Sequence, residues 1–192
     1  VLFRSNYTHL TRYMVNGYKS LYKGGDTFFD GLEELAAGSC LRIESSGDEQ
    51  SERYWEPRCE QIDSMTYDQA VEGTRQRLIE SVRLRLRADV PLAFCMSGGV
   101  DSNSLICTAK RELGYDVHGF TIVNQDARYD EQEEIEHVVR ELGLRHTTVP
   151  VSTDNFLERL RELVSYHDAP VYTITYFAHW TLMRHVEEHG YK

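Results

Sequence analysis

Pro91-Leu92-Ala93-Phe94-Cys95-Met96-Ser97-Gly98-Gly99-Val100-Asp101-Ser102 is the stretch on which the fold turns. It begins as a short continuous apolar run, Pro91 to Met96, of the kind that fills a parallel strand buried on both faces. It breaks into serine and glycine, then resumes with helical spacing from about Val100 to Leu113, closed by Gly114. Downstream the alternation repeats. Val117 to Val123 reads as a second strand, Asp130 to Leu142 as a helix closed by Gly143, and Arg145 to Val151 as a third strand in which Thr147, Val149 and Val151 alternate. Asp154 is placed to cap a helix reaching about Tyr166. After Asp168-Ala169-Pro170 a last helix runs from about Thr175 to His189, ended by Gly190. Strand, helix, strand, helix, strand with short connections predicts an α/β fold. Right-handed crossovers make it a parallel sheet of βαβαβ type with helices on both faces.

Upstream, Thr66 followed three residues later by Gln69 is a capping-box signature. Val71, Leu78, Val82 and Leu86 recur behind it at helical spacing, with Asp68 in the first turn and Arg83, Arg85 and Arg87 in the last, as the helix dipole favours. This predicts a helix over about 67–87. The region before it is different in kind. Tyr7 to Tyr18 reads as a short helix stopped near Gly17, and Gly24-Gly25-Asp26 as a turn. Ser39 to Glu44 alternates as a strand, Ser45-Ser46-Gly47-Asp48 carries turn chemistry, and Ser51 to Trp55 returns as a second strand, which makes a β-hairpin. The change of character between Glu56 and Ser64 divides the chain into residues 1–60 and 61–192.

The chain has 192 residues, 41% hydrophobic and 27% charged, a balance that supports a folded core. It holds no run of about 18 apolar residues that would span a membrane. Val1-Leu2-Phe3-Arg4-Ser5 opens no signal peptide, so the expectation is a cytoplasmic protein with no membrane partner. A net charge of −10 argues against a nucleic-acid surface. Oligomeric state stays open, a homodimer included. Cys40, Cys59, Cys95 and Cys107 have no CxxC spacing, and two of them lie in apolar stretches that read as core, so free structural thiols are expected.

The Ser97–Ser102 turn has the makings of an anion site. Helix-terminal N–H groups are unpaired and carry partial positive charge, and in open α/β sheets ligands sit at the carboxyl ends of strands. Gly98 and Gly99 let the backbone turn sharply and approach an oxyanion closely. Ser97 and Ser102 add hydroxyls. Asp101 would repel a phosphate, and makes most sense as a ligand to a bridging Mg²⁺. No Lys-Ser/Thr follows a four-residue spacer, and no GxGxxG is present, so neither commoner phosphate motif applies. A glycine-rich strand-to-helix turn that binds nothing is the bland reading.

Ser97-Gly98-Gly99-Val100-Asp101-Ser102 behind an apolar strand resembles the SGGxDS loop of the PP-loop ATP pyrophosphatases, whose fold is adenine nucleotide alpha-hydrolase-like. Thr27-Phe28-Phe29-Asp30-Gly31 through Gly38-Ser39-Cys40-Leu41-Arg42-Ile43, and then Arg53-Tyr54-Trp55-Glu56-Pro57, is similar to the end of the glutaminase domain in glutamine-dependent asparagine synthetases. Val117 to Ile122, Tyr129-Asp130-Glu131 and Asp168-Ala169-Pro170 resemble that family's next elements, so the likeness runs from about residue 7 to 192. Ala36-Ala37-Gly38 stands where the family usually has Pro-Gly. The resemblance implies that residues 1–60 are the C-terminal remnant of a class II glutamine amidotransferase domain and 61–192 the N-terminal part of a synthetase domain. It implies ATP-dependent amide formation. The aspartate β-carboxylate becomes β-aspartyl-AMP with release of pyrophosphate, and ammonia from glutamine displaces AMP to give asparagine. ATP, aspartate, ammonia and Mg²⁺ are the implied ligands. Ser97, Gly98, Gly99, Val100, Asp101 and Ser102 would hold the pyrophosphate, with Asp101 on Mg²⁺, and Met96 and Ile122 would contact the nucleotide. The family's N-terminal Cys nucleophile and its SGxGxDE-type loop match nothing here, so an internal fragment without activity by itself is expected. The aromatics near Tyr176 leave room for another acceptor carboxylate, as in a β-lactam-synthetase-like ligase, and a non-catalytic nucleotide-binding module also stays open.

Other constellations read as structure. His185-Val186-Glu187-Glu188-His189 matches HxxEH but lacks a third ligand, and reads as a polar helix end. Asp130-Glu131-Gln132-Glu133-Glu134 reads as a solvated first turn, the functional reading being that Asp130 or Glu131 faces the nucleotide. Tyr172, Tyr176, Phe177 and Trp180 form a packing stripe.

Overall fold

The structure, a computed structural model, describes residues 4–60, 64–123, 132–167 and 169–192, without the side chains of residues 22 and 23. The expectations for Tyr129, Asp130, Glu131 and Asp168 therefore lie outside the described residues. The chain forms two compact units, Val1–Asp63 and Ser64–Lys192.

In the first unit, α1 (Tyr7–Asn16) is capped by Asn6, whose side chain accepts the His9 N–H at 3.0 Å, and is ended by Gly17 at φ 73°. A 3-10 turn, Tyr18–Lys23, follows. β1 (Ser39–Ile43) pairs antiparallel with β2 (Glu49–Arg53), Ser39 opposite Arg53 and Ile43 opposite Glu49. The return strand thus lies two residues earlier than expected. The reason is Gly38: its carbonyl accepts both the Tyr54 and Trp55 N–H groups, at 2.8 and 3.1 Å, which closes the ladder and turns both aromatics to solvent.

The second unit opens with α2 (Tyr67–Arg85), whose capping box is complete: Thr66 accepts the Gln69 N–H and the Gln69 side chain accepts the Thr66 N–H. The sheet has three parallel strands in the order β3 (Phe94–Cys95), β4 (His118–Val123), β5 (Arg145–Pro150). Phe94 sits beside Gly119, and His118 beside Arg145. Between the strands run α3 (Val100–Cys107) and α4 (Gln132–Leu142); α5 (Phe156–His167) and α6 (Ile174–Glu188) follow β5.

Alternation along the strands sorts the core into two layers. Met96, Val117, Ile106, Ala109, Ile135, Leu142 and Val82 close one, joining α2, α3 and α4 to the sheet. Phe120, Val149, Leu182 and Tyr191 close the other, under α6. Helices therefore cover both faces. Arg159 of α5 ties the second layer together: its guanidinium donates to the Ser152 carbonyl at 3.0 Å and to Thr181 Oγ1 at 2.8 Å, and lies over the Phe177 ring at 4.7 Å.

Several boundaries differ from expectation for local reasons. β3 has two residues rather than six, because only Phe94 and Cys95 pair with β4, although the Met96 N–H extends the ladder to the Phe120 carbonyl at 2.8 Å. The helix after the loop is α-helical only to Cys107 and then widens into π turns, Thr108–Glu112. There the Thr108 hydroxyl donates back to the Ser104 carbonyl at 2.7 Å, a bond that competes with regular helix geometry. Asp154 does not cap α5; its carboxylate takes the Ser152 hydroxyl, and Asn155 at φ 52° makes the turn. Val71 is 50% exposed, since the first half of α2 overhangs the core. Of the cysteines expected in the core, Cys107 is half-buried and Cys95 exposed, for Cys95 points to the opposite side from Phe94 and Met96. No helix among the described residues is long and apolar enough to cross a membrane.

Candidate functional site

The loop that leaves β3 is built from its own serines. Ser97 Oγ and Ser102 Oγ stand 2.9 Å apart, and the Ser97 N–H reaches Ser102 Oγ at 3.3 Å. The Ser102 hydroxyl also lies 3.1 Å from the Ser97 carbonyl and 3.2 Å from that of Gly99. It has one proton for these acceptors. The hydroxyls can therefore be redirected to a ligand without unfolding the turn. The Gly99 N–H donates to Ser97 Oγ at 3.2 Å, and a Cβ on Gly99 would come 3.2 Å from that same oxygen. No side chain caps α3, whose N-cap is Gly99, so its first turn faces the loop with the dipole's positive end uncovered. Val100 is 81% exposed and contributes only backbone.

Asp101 lies in that first turn, exposed, with its carboxylate bonded by no other described residue. Mg²⁺ characteristically takes one or two protein carboxylates and fills its shell with water and substrate phosphates. A lone, unengaged Asp beside two hydroxyls fits that habit. Among the described residues, no group of three or more His, Cys, Asp and Glu could hold a metal unaided.

Met96 is placed differently from the rest. Its side chain is 5% exposed and belongs to the α2/α3/α4 layer, so any approach to a ligand falls to its backbone. It lies over Gly119: a Cβ there would fall 2.1 Å from Met96 Sδ. Ile122, half-buried, packs on the opposite layer. Continuing the register of Cys95 opposite Phe120 puts Ile122 beside Ser97, at the mouth of the loop. The structure thus brings Ser97 to Ser102 and Ile122 to one end of the sheet and sends the Met96 side chain into the core.

Asn103 carried no signal in the sequence reading. One position past the motif, it reaches back from α3 so that Nδ2 donates to the Gly98 carbonyl at 3.4 Å, while its Oδ1 is buried without a partner. The signal available in sequence was only an amide side chain in the first helical turn.

The histidines stand apart. His118 Nδ1 bonds Tyr191 Oη at 2.8 Å and Nε2 bonds Thr147 Oγ1 at 2.9 Å; His146 Nε2 bonds Thr121 Oγ1 at 3.0 Å. Burial chiefly lowers the His118 pKa, helped by Arg145, His189 and His146 against Asp116; burial also lowers that of His146, against Glu136. In the HxxEH stretch His185 Nδ1 bonds the Thr181 carbonyl and His189 Nδ1 that of His185, so both rings serve the helix backbone. Phe177 packs on Phe156 and Trp180, and Tyr176 on Tyr172 and His167, as a packing stripe would.

The family description "Asparagine synthase" matches residues 73–192, which include the loop. The amidase chyE of Penicillium rubens is 27% identical over 183 residues, 86% of this chain and 27% of its own length. The amidase chry2 of Gibberella zeae is 40% identical over 82 residues, 41% of this chain and 12% of its own. Asparagine synthetase 1 of Bacillus subtilis is 23% identical over 140 residues, 73% of this chain and 22% of its own. The chain thus spans between 12% and 27% of the length of these relatives. With the family match covering the whole sheet and the loop at its carboxyl edge, the chain belongs to the asparagine synthase family.

Proposed function

We propose that this chain carries the nucleotide half of an ATP-dependent amide ligase. The observation behind the reading is the Ser97–Ser102 turn, an uncapped helix N-terminus with two redirectable hydroxyls at the carboxyl end of a parallel strand. In this reading a carboxylate oxygen attacks the α-phosphorus of ATP, the bond to the bridging oxygen breaks, and pyrophosphate leaves. Ammonia then attacks the acyl carbon and AMP departs. The backbone of Gly98, Gly99 and Val100 and the hydroxyls of Ser97 and Ser102 hold the departing pyrophosphate, stabilising charge that grows in the transition state. Asp101 holds Mg²⁺, which supplies charge neutralisation on the phosphates. Met96, through its backbone, and Ile122 border the adenosine. The fold is of adenine nucleotide alpha-hydrolase type. The Val1–Asp63 unit, with its β1–β2 hairpin, is the end of a glutaminase domain, and glutamine is the ammonia source.

The acceptor has two readings. Aspartate follows from the family; a different carboxylate is favoured by the amidase name of one relative matched over 86% of this chain. Titration calorimetry of this chain with Mg·ATP tests the loop, and Asp101→Ala is expected to weaken binding about tenfold, as expected for a lost charge-assisted contact. Equal affinity removes Asp101 from the metal role, and no binding to the wild-type chain removes the reading itself. Pyrophosphate release by the full-length protein over a panel of carboxylic acids then assigns the acceptor. Binding without release under every acid leaves a nucleotide-binding module.

A further inference from the structure

The Gly98–Gly99 peptide is the weak point of the loop. With glycine on both sides, no Cβ restricts φ or ψ about this plane. Which way it faces matters. One face presents the Gly99 N–H to an anion; the flipped face presents the Gly98 carbonyl and repels it. The peptide is planar and trans, so its C=O and N–H point in opposite directions. Asn103 holds one end: Nδ2 donates to the Gly98 carbonyl at 3.4 Å from the α3 side. The other end then points the opposite way, where the Gly99 N–H donates to Ser97 Oγ at 3.2 Å. Rotating the Asn103 amide by half a turn would set Oδ1 against the Gly98 oxygen, so the bond also fixes which amide atom faces inward.

That arrangement costs stability. Oδ1 is buried with no hydrogen-bond partner, which leaves its desolvation uncompensated. An apolar residue would avoid it. An unpaired buried polar atom beside such a loop is the kind of broken local rule expected at a functional position.

Resting on the reading of Ser97–Ser102 as a phosphate loop, we propose that Asn103 is a positioning residue that latches the Gly98–Gly99 peptide with its N–H toward the phosphates. It acts through the backbone and touches no reacting atom. Its removal therefore weakens phosphate binding while leaving adenosine binding and the fold intact. The carboxylate of Asn103→Asp accepts but cannot donate to the carbonyl, and repels it.

The test is titration calorimetry of this chain and of Asn103→Ala and Asn103→Asp with Mg·pyrophosphate, Mg·ATP and adenosine, together with thermal melts. Both variants are expected to bind pyrophosphate and ATP about tenfold more weakly, the order of one lost hydrogen bond to a charged ligand's cradle. Adenosine affinity stays unchanged, and Asn103→Ala melts at the wild-type temperature or above it, since the orphan acceptor is gone. A purely structural role predicts the reverse, a lower melting temperature with equal losses for all three ligands, and overturns the proposal. So does Asn103→Ala binding pyrophosphate as tightly as wild type. A wild-type chain that binds no pyrophosphate overturns the loop reading first, and this proposal with it.

Discussion

Gly119 shows how much a single missing methyl group decides here. It is buried near the start of β4, and its absent side chain is the space in which Met96 lies. A Cβ 2.1 Å from Met96 Sδ cannot be accommodated unless Met96 moves. Gly119→Ala is therefore expected to destabilise the second unit by about 1–3 kcal/mol, the usual penalty of overpacking. Because Met96 is the last residue before Ser97, the loop is disturbed as well. Urea denaturation measures the first effect and Mg·ATP titration the second; a variant as stable as wild type would show that Met96 has another place to go. At the same scale, the proposed role of Asp101 comes from its position in the motif, since in that reading a carboxylate beside phosphates needs a cation between them. The Met96 contact with Gly119 was not, because it joins two strands more than 20 residues apart, and only the register of β3 on β4 creates it.

Elements were legible where local chemistry settles them. The start of α2 is an example: Thr66 and Gln69 bond each other's backbone without help from the rest of the molecule. Thr66→Ala removes one of those bonds and is expected to cost about 1 kcal/mol, read as a lower thermal midpoint with unchanged ligand affinity. A larger loss would mean that Thr66 does more than cap. Where neighbours compete, local reading fails. Thr108 falls within the stretch of helical spacing, yet its hydroxyl bonds the Ser104 carbonyl and the following turns widen. In the first unit, Gly38 at φ 70° accepts two N–H groups, and a Cβ there would fall 2.1 Å from the Trp55 carbonyl oxygen. Gly38→Ala is expected to open the β1–β2 hairpin, seen as loss of amide protection at Tyr54 and Trp55, whose N–H groups donate to the Gly38 carbonyl; retained protection would show that the hairpin closes without the Gly38 turn.

Across the second unit, the two histidines of the sheet set a pH dependence. Both have pKa values lowered by burial, below the ordinary value near 6.5. Above about pH 6.5 the folded and unfolded chains both hold them neutral and no stability is lost. Below it the unfolded chain takes up protons more readily, so stability falls as the pH drops toward the folded-state values. Thermal midpoints are expected to decline from pH 7.5 to 5.5, less steeply in His146→Gln. A flat profile in wild type would show that the sheet accommodates charged imidazole. The alternation of strands and helices was readable at this scale, because helix and strand periods differ and short connections leave few topologies.

The parallel α/β order, the α2 cap and the Ser97–Ser102 turn were all legible in the residues alone, because each is carried by residues within a few positions of each other. Tertiary structure alone decided that Met96 is core while Cys95 faces out, that Gly119 makes room for Met96, and that Asn103 reaches back to the Gly98 carbonyl. Those outcomes depend on the register of one strand against the next and on the rotation of α3 about its own axis. Both are set by packing over the whole unit and leave no mark in the local pattern of residues.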